Sequence, residues 1–190
     1  MLTFAAAALT AAVASAADPA AGKAKFEPCL ACHGSGAAPQ GEVAPLLDAQ
    51  PDNFVQWQLV YFRTETRQDP AMTPISKLLS DADIRSIGAY VASLAPPKQP
   101  QEKDERPDLT EAGEQLAKAN HCASCHQDGF VGRDAVPRLA GQREAYLLKS
   151  LRDFKSGKRR GGGVAAMPDA VYPLNDKGLQ ALAHYLSRLR

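Results

Sequence analysis

Apolar residues recur along this chain with the spacing of amphipathic helices, and the pattern is used twice. Ile84, Ile87, Val91 and Leu94 form an i, i+3, i+7, i+10 stripe, and Leu179, Leu182, Leu186 and Leu189 repeat it. That spacing places four side chains on one helical face. Val55, Leu59 and Phe62 predict a second helix over residues 52–67, and Leu147, Leu151 and Phe154 predict its counterpart over 142–156. Ser80 with Asp83 reads as a capping-box start to the first closing helix, and Asn175 can cap the second. Tyr90 and Tyr185 fall at equivalent positions.

Each half also opens on a short helix. Asp18-Pro19 offers an N-cap followed by proline at the first helical position. In the second half the matching helix is expected to start near Thr110 and run through Leu116. Gly22 and Gly113 serve as landmarks, and by them the second helix is about half a turn longer. The prediction is an all-α chain in which one small unit is duplicated in tandem, not a solenoid. The boundaries are 18–95 for the first unit and 109–190 for the second. Residues 96–108 carry four prolines and seven charged side chains, the composition of an extended, solvated linker.

Candidate chemistry sits at the end of each opening helix. Cys29-Leu30-Ala31-Cys32-His33 and Cys122-Ala123-Ser124-Cys125-His126 hold all four cysteines and two of the four histidines. C-x-x-C-H is the attachment frame of c-type haem: two thiols on one helical turn form thioethers with the haem vinyl groups, and the next residue points an imidazole at iron. The alternatives are a redox dithiol or a zinc site. Zinc ribbons space their pairs by about 15 to 20 residues, and neither alternative demands the histidine. Two haem c groups are therefore the expected cofactors. Each unit has only about 80 residues, a thin core by itself, so the cofactor should be part of the fold.

The ligand opposite His decides what such an iron does, and Met there marks electron transfer. Apart from Met1, each unit has one methionine: Met72 follows His33 by 39 residues, and Met167 follows His126 by 41. Each is expected in a Pro-containing or Gly-rich loop between the middle and closing helices. Core filling is the ordinary role of methionine, but these two lie outside the apolar stripes at equivalent places. The expected axial ligands are thus His33 with Met72 and His126 with Met167. His121 and His184 have no counterparts in the first unit; a surface or packing role is expected for each, with bis-His ligation in the second unit as the alternative.

Charge modifies this picture. Residues 18–95 carry 6 basic and 9 acidic side chains, and residues 109–190 carry 13 and 8, within a chain of net charge +1. Near-neutral overall charge argues against nucleic acid as a partner. Lys155, Lys158, Arg159 and Arg160 form a basic cluster, read either as a solvated loop or as a steering patch for an acidic partner. The positive second unit should favour its reduced haem and draw electrons from the first. Met1 to Ala17 is alanine-rich and uncharged, with small residues for cleavage after Ala16 or Ala17, so a signal peptide and export to the periplasm are expected. An uncleaved membrane anchor is the alternative.

With the paired frames, the Pro-x-Leu-x-x-Gln segments at 45–50 and 137–142, the methionines and the closing helices in view, the chain resembles the dihaem cytochromes of the c4 type. The likeness spans nearly all of it after the leader and is strongest at Pro137-Arg138-Leu139-Ala140-Gly141-Gln142, Tyr146, Phe154 and Gly157. It departs at Asp48-Ala49-Gln50, where Ala-Gly-Gln is usual, and at Pro28. The resemblance implies two class I cytochrome c domains, each a small helical fold around a covalently bound haem, with the propionates near the interface between domains. It further implies that the carbonyls of Pro45 and Pro137 accept from Nδ1 of His33 and His126. The implied function is electron transfer between redox protein partners, a respiratory donor complex and a terminal oxidase or similar acceptor, with peripheral contact at membrane complexes and no small-molecule substrate at iron. Two readings compete: a dihaem subunit of a dehydrogenase complex such as a flavocytochrome, and a haem enzyme such as a peroxidase or thiosulfate dehydrogenase.

Overall fold

A computed structural model describes residues 17–34, 44–97, 103–159 and 165–190. The expected signal peptide lies outside the described residues except for Ala17, as do residues 98–102 of the linker, Arg160 of the basic cluster and the glycines at 161–163. The first unit comprises α1 (Pro19–Phe26), a 3-10 turn at Glu27–Cys29, α2 (Leu30–His33), α3 (Asp52–Arg63), α4 (Met72–Lys77) and α5 (Asp81–Ser93). The second repeats the plan with α6 (Pro107–Ala119), α7 (Ala123–His126), α8 (Glu144–Lys155), α9 (Ala166–Val171) and α10 (Asp176–Arg188). No helix among the described residues is long and apolar enough to cross a membrane.

In each unit the closing helix is the hub: α5 packs on α1 and α3, and α10 packs on α6 and α8. Glycine makes the crossings close. A Cβ on Gly22 would lie 1.9 Å from the Ser86 carbonyl oxygen, and one on Gly113 would lie 2.2 Å from that of Ala181. The tyrosine one turn further along the hub packs on an aromatic partner in both units: Tyr90 with Phe26 at 5.6 Å and Tyr185 with Phe130 at 6.1 Å between ring centroids. The stripes are buried as their spacing requires. Val55, Leu59, Ile84, Ile87 and Val91 join Phe26 in one core, and Leu147, Leu151, Phe154, Leu179, Leu182 and Leu186 belong to the other.

The caps form as the sequence dictates. Ser80 and Asp83 bond reciprocally in a capping box, and the Asn175 side chain accepts from the Gly178 amide. Asp18 accepts from the Ala20 amide ahead of Pro19. Pro28, which cannot donate into a helix, falls in the 3-10 turn that separates α1 from the first motif.

Four expectations are corrected. The middle helices end earlier than predicted, at Arg63 and Lys155, because Glu65 and Gly157 take positive φ (61° and 71°) and turn the chain out of the helix. Helix α6 begins at Pro107 rather than near Thr110, which makes it 13 residues against 8 for α1. The linker expected over 96–108 therefore gives up its last two residues to α6. Its Asp104 is not simply solvated either: it accepts from Thr110 Oγ1 and the Arg106 amide. Finally, the two methionines are not in open loop: Met72 is the first residue of α4 and Met167 the second of α9.

Candidate functional site

Each C-x-x-C-H frame is helical through its second cysteine and histidine, as thiols on a single turn require. Cys29 and Cys122 are half-buried and Cys32 and Cys125 exposed, and no disulfide joins any of them. Burial raises the pKa of the Cys29 and Cys122 thiols, a neighbouring-thiolate contribution adding to it while a backbone hydrogen bond opposes it. The pairs belong to separate cores, and among the described residues no group of three or more His, Cys, Asp or Glu is assembled to hold a metal ion. A shared zinc site is thus not built.

His33 and His126 are buried, and their Nδ1 atoms lie 2.8 Å from the Pro45 carbonyl oxygen and 3.0 Å from that of Pro137. A carbonyl only accepts, so Nδ1 carries the proton and Nε2 is left with its lone pair. Burial lowers the pKa of both imidazoles, only partly offset by the carbonyl bond, which keeps them neutral, as a metal ligand must be. Met72 packs against the same core as Cys29, and Met167 against the same core as Cys122 and Ala123. Two vinyl-reactive thiols, a neutral imidazole with a fixed tautomer, and a thioether on one apolar body form a donor set that fits haem c.

His184 stands apart. It is 3% exposed, with Nδ1 2.9 Å from Glu144 Oε2 and Nε2 3.1 Å from Asp104 Oδ1. Both ring nitrogens are taken, so the bis-His alternative has no support there; the residue ties α10 to α8 and to the segment entering α6. Arg106 reinforces the cluster through Glu144 at 2.7 Å, and Arg188 through Asp104 at 3.3 Å. His121 is exposed, at φ 52°.

The interface between units holds residues that sequence reasoning passed over. Gln50 Nε2 donates to the Arg138 carbonyl at 2.9 Å, and the Arg138 amide donates to Gln50 Oε1 at 3.1 Å. Gln142 Nε2 donates to the Leu46 carbonyl, and the Leu46 amide donates to Gln142 Oε1, both at 2.8 Å. The four bonds are buried and follow a pseudo-two-fold pattern. The in-register repeat of glutamine was the signal available in the sequence. Arg143 adds bonds to the carbonyls of Ala44 (2.5 Å) and Gly34 (2.9 Å) in the first unit.

A second polar contact is built from equivalent arginines. Arg67 lies over the Phe62 ring and Arg159 over the Phe154 ring, each at 4.6 Å. Both donate to Gln58 Oε1, and Arg67 also donates to the Tyr146 hydroxyl at 3.2 Å. Burial would raise the pKa of the Tyr146 phenol, but the two guanidiniums together outweigh it and bring the group down to about 7. Arg159 thus leaves the expected surface cluster: it is 8% exposed and lowered by burial to about 10. Lys155 and Lys158 remain exposed, Lys155 donating to the Tyr172 carbonyl.

The chain is similar in sequence and in fold to known proteins. The cytochrome c family model matches residues 110–190. Cytochrome c4 of Thiocapsa roseopersicina is 32% identical, with 90% of this chain and 93% of that protein covered. A thiosulfate dehydrogenase electron acceptor of Thiomonas intermedia is 30% identical over 84% of this chain and 77% of its own. The crystal structure of reduced recombinant cytochrome c4 from Pseudomonas stutzeri superimposes with a TM-score of 0.81 at 30% identity, covering 92% of this chain and all of that one. The chain therefore belongs to the cytochrome c4 family, electron-transfer proteins of two class I cytochrome c folds, and binds two haem c groups covalently through Cys29/Cys32 and Cys122/Cys125.

Proposed function

We propose that the protein is a periplasmic two-site relay that passes single electrons from a dehydrogenase or respiratory donor complex to a terminal oxidase or similar acceptor. Each iron would be held by a His and a Met: His33 with Met72, and His126 with Met167. The observation that carries this reading is the duplicated pairing of a neutral, carbonyl-pinned histidine with one methionine packed on the same core as the first motif cysteine. Bound haem supplies an iron that alternates between two oxidation states. The protein's residues do the rest. Pro45 and Pro137 fix the imidazoles and strengthen their donation, the thioether favours the reduced metal, and the thioether-forming cysteines hold the group in register. Met72 and Met167 would occupy the place that a substrate would need at each iron, which favours electron transfer over the catalytic haem readings.

The excess of basic residues in the second unit supports electron flow from the first unit to the second, and exposed Lys155 and Lys158 suit an acidic acceptor. Stopped-flow oxidation and reduction against candidate oxidases and dehydrogenases tests the reading. Rapid exchange that slows with salt is expected; failure to exchange with any oxidase or dehydrogenase would contradict it. A second reading is favoured by the relative named as a thiosulfate dehydrogenase electron acceptor: the donor is a thiosulfate-oxidising enzyme, and the chain is its partner. Reduction of the dihaem protein by such an enzyme plus thiosulfate, and not by thiosulfate alone, distinguishes it.

A further inference from the structure

The Pro45 carbonyl and the Leu46 amide are the two ends of one peptide group. The carbonyl accepts from His33 Nδ1 at 2.8 Å, and the amide donates to Gln142 Oε1, across the unit boundary, at 2.8 Å. The second unit mirrors this. The Pro137 carbonyl accepts from His126 Nδ1 at 3.0 Å, and the Arg138 amide of the same peptide group donates to Gln50 Oε1 at 3.1 Å. Each glutamine also closes the ring by donating to the next carbonyl, Gln142 to Leu46 and Gln50 to Arg138. Both glutamines are 4% exposed, so water does not compete for these bonds. Gln142 Oε1 additionally accepts from the Arg143 amide at 3.0 Å.

Hydrogen bonds in series polarise one another, and in a water-poor interior the effect is about 10–30% per bond. An amide whose N–H is engaged presents a more negative carbonyl oxygen. That oxygen pulls harder on the imidazole proton, which makes Nε2 a stronger donor to iron and stabilises the oxidised metal. We propose that the two glutamines are crossed positioning residues: Gln142, in the second unit, tunes the iron bound by His33, and Gln50, in the first, tunes the iron bound by His126. Separation of the units, or a partner that shifts their contact, then changes both potentials without touching either haem.

The backbone is shaped to make these contacts. The residue before each glutamine sits at positive φ, Ala49 at 53° and Gly141 at 72°, and each glutamine amide closes the turn by donating to Leu47 or Leu139. Alanine is strained in that left-handed conformation, and the turn it makes brings Gln50 to Arg138. Strain kept beside a site points to a role for the geometry it enforces.

The proposal rests on histidine ligation of both irons, which low-spin spectra of the wild-type holoprotein check separately. The test is a redox titration of the dihaem protein followed by NMR, with each midpoint assigned to its haem by hyperfine-shifted haem methyl signals. Gln142→Leu is expected to raise the potential of the His33 haem by about two- to tenfold in its one-electron equilibrium constant, moving the His126 haem less. Gln50→Leu should do the reverse. Gln142→Glu, which keeps an acceptor facing the Leu46 amide, should restore the His33 haem to its wild-type potential or below. If a leucine variant loses its haem, coupling across the Leu46 N–H to Gln142 hydrogen bond in the reduced wild-type protein, and the position of the His33 Nδ1 proton in Gln142→Glu, supply the reading. A shift confined to the haem of the mutated unit, equal shifts on both, or no shift would overturn the proposal while leaving ligation intact.

Discussion

The same turn precedes the glutamine in both units, yet it is occupied by Ala49 in the first and Gly141 in the second. The contrast recurs where the middle helix ends: Glu65 stands at φ 61° in the first unit and Gly157 at φ 71° in the second. At two equivalent left-handed positions the second unit uses the residue that adopts them freely, while the first holds a side chain there. The supports differ as well. The described core of the second unit includes Phe130, Val171 and Leu174 beyond the shared stripes, and His184 with its two carboxylates fastens the entry to α6. In the first unit Ala89 occupies the place of His184, and Phe26 supplies the aromatic partner of Tyr90 that Phe130 supplies to Tyr185. The second unit is not free of strain, since Gln127, Phe130 and Asp134 also take positive φ after its haem motif. The comparison teaches that one haem-binding plan tolerates unequal supports, while the cross-unit bonds tie the two units together symmetrically.

The largest effect is expected from removing a tether. Cys29→Ser combined with Cys32→Ser should lower the haem count from two to one by mass spectrometry and strip helix from the first unit, whose small core would lose the apolar body it is built around. The matching change at Cys122 and Cys125 should leave more residual helix in the haem-free unit, as measured by circular dichroism. Equal losses would break the comparison.

Gly22→Ala and Gly113→Ala come next. Each forces a methyl against a backbone carbonyl at a helix crossing, which should destabilise by about 1–3 kcal/mol, read as a lower thermal midpoint. Gly22 should be the more sensitive, because its carbonyl contact would be the tighter.

Smaller effects of opposite sign are expected at the turn. Ala49→Gly should stabilise the protein by up to about 1 kcal/mol, the relief of strain being partly offset by greater freedom in the unfolded chain, and Gly141→Ala should destabilise by a similar amount. Denaturant midpoints check both; two changes of the same sign would remove the strain argument.

The smallest effect is the share of the acid dependence that Asp83 contributes to the first unit. Asp83 is lowered to about 2 by its hydrogen bonds with the Ser80 side chain, with Lys25 and with the Ser80 amide, and Lys25 reaches it from α1 at 3.0 Å. A depressed carboxylate pKa contributes stability that is fully present above the unfolded value, 3.8, and is lost as pH falls through about 2. Gly178 occupies the equivalent position in α10. Asp83→Asn should therefore flatten the acid dependence of hydrogen exchange along α1 and α5 in that window and leave α6 and α10 unchanged.

What the sequence made legible was local. The stripes of α5 and α10, the Ser80/Asp83 box, the Asn175 cap and the Cys-x-x-Cys-His frames each depend on residues within a few positions of one another. What it hid depends on distant partners. Arg159 reads as part of a basic run, yet Gln58, Phe154 and Tyr146 bury it, and two of those three are remote in sequence. Asp104 reads as solvated linker because His184, its partner, lies 80 residues away. Met72 and Met167 read as loop residues because neighbouring Pro74 and Pro168 suggested breakers, whereas proline is accepted in the first turn of a helix, where its missing N–H is not needed. The recurrence of Gln50 and Gln142 was visible, but the crossing of their bonds required both units in place.

The measurement that bears most directly on the two-site relay is a spectroelectrochemical titration of the purified dihaem protein, repeated on Met72→Ala and Met167→Ala. The account predicts two one-electron steps per chain, low-spin spectra in both oxidation states, and loss of the low-spin signature at one haem only in each variant. A single electron per chain, a high-spin wild-type haem that turns over peroxide or thiosulfate, or an unchanged low-spin spectrum in either methionine variant would contradict it.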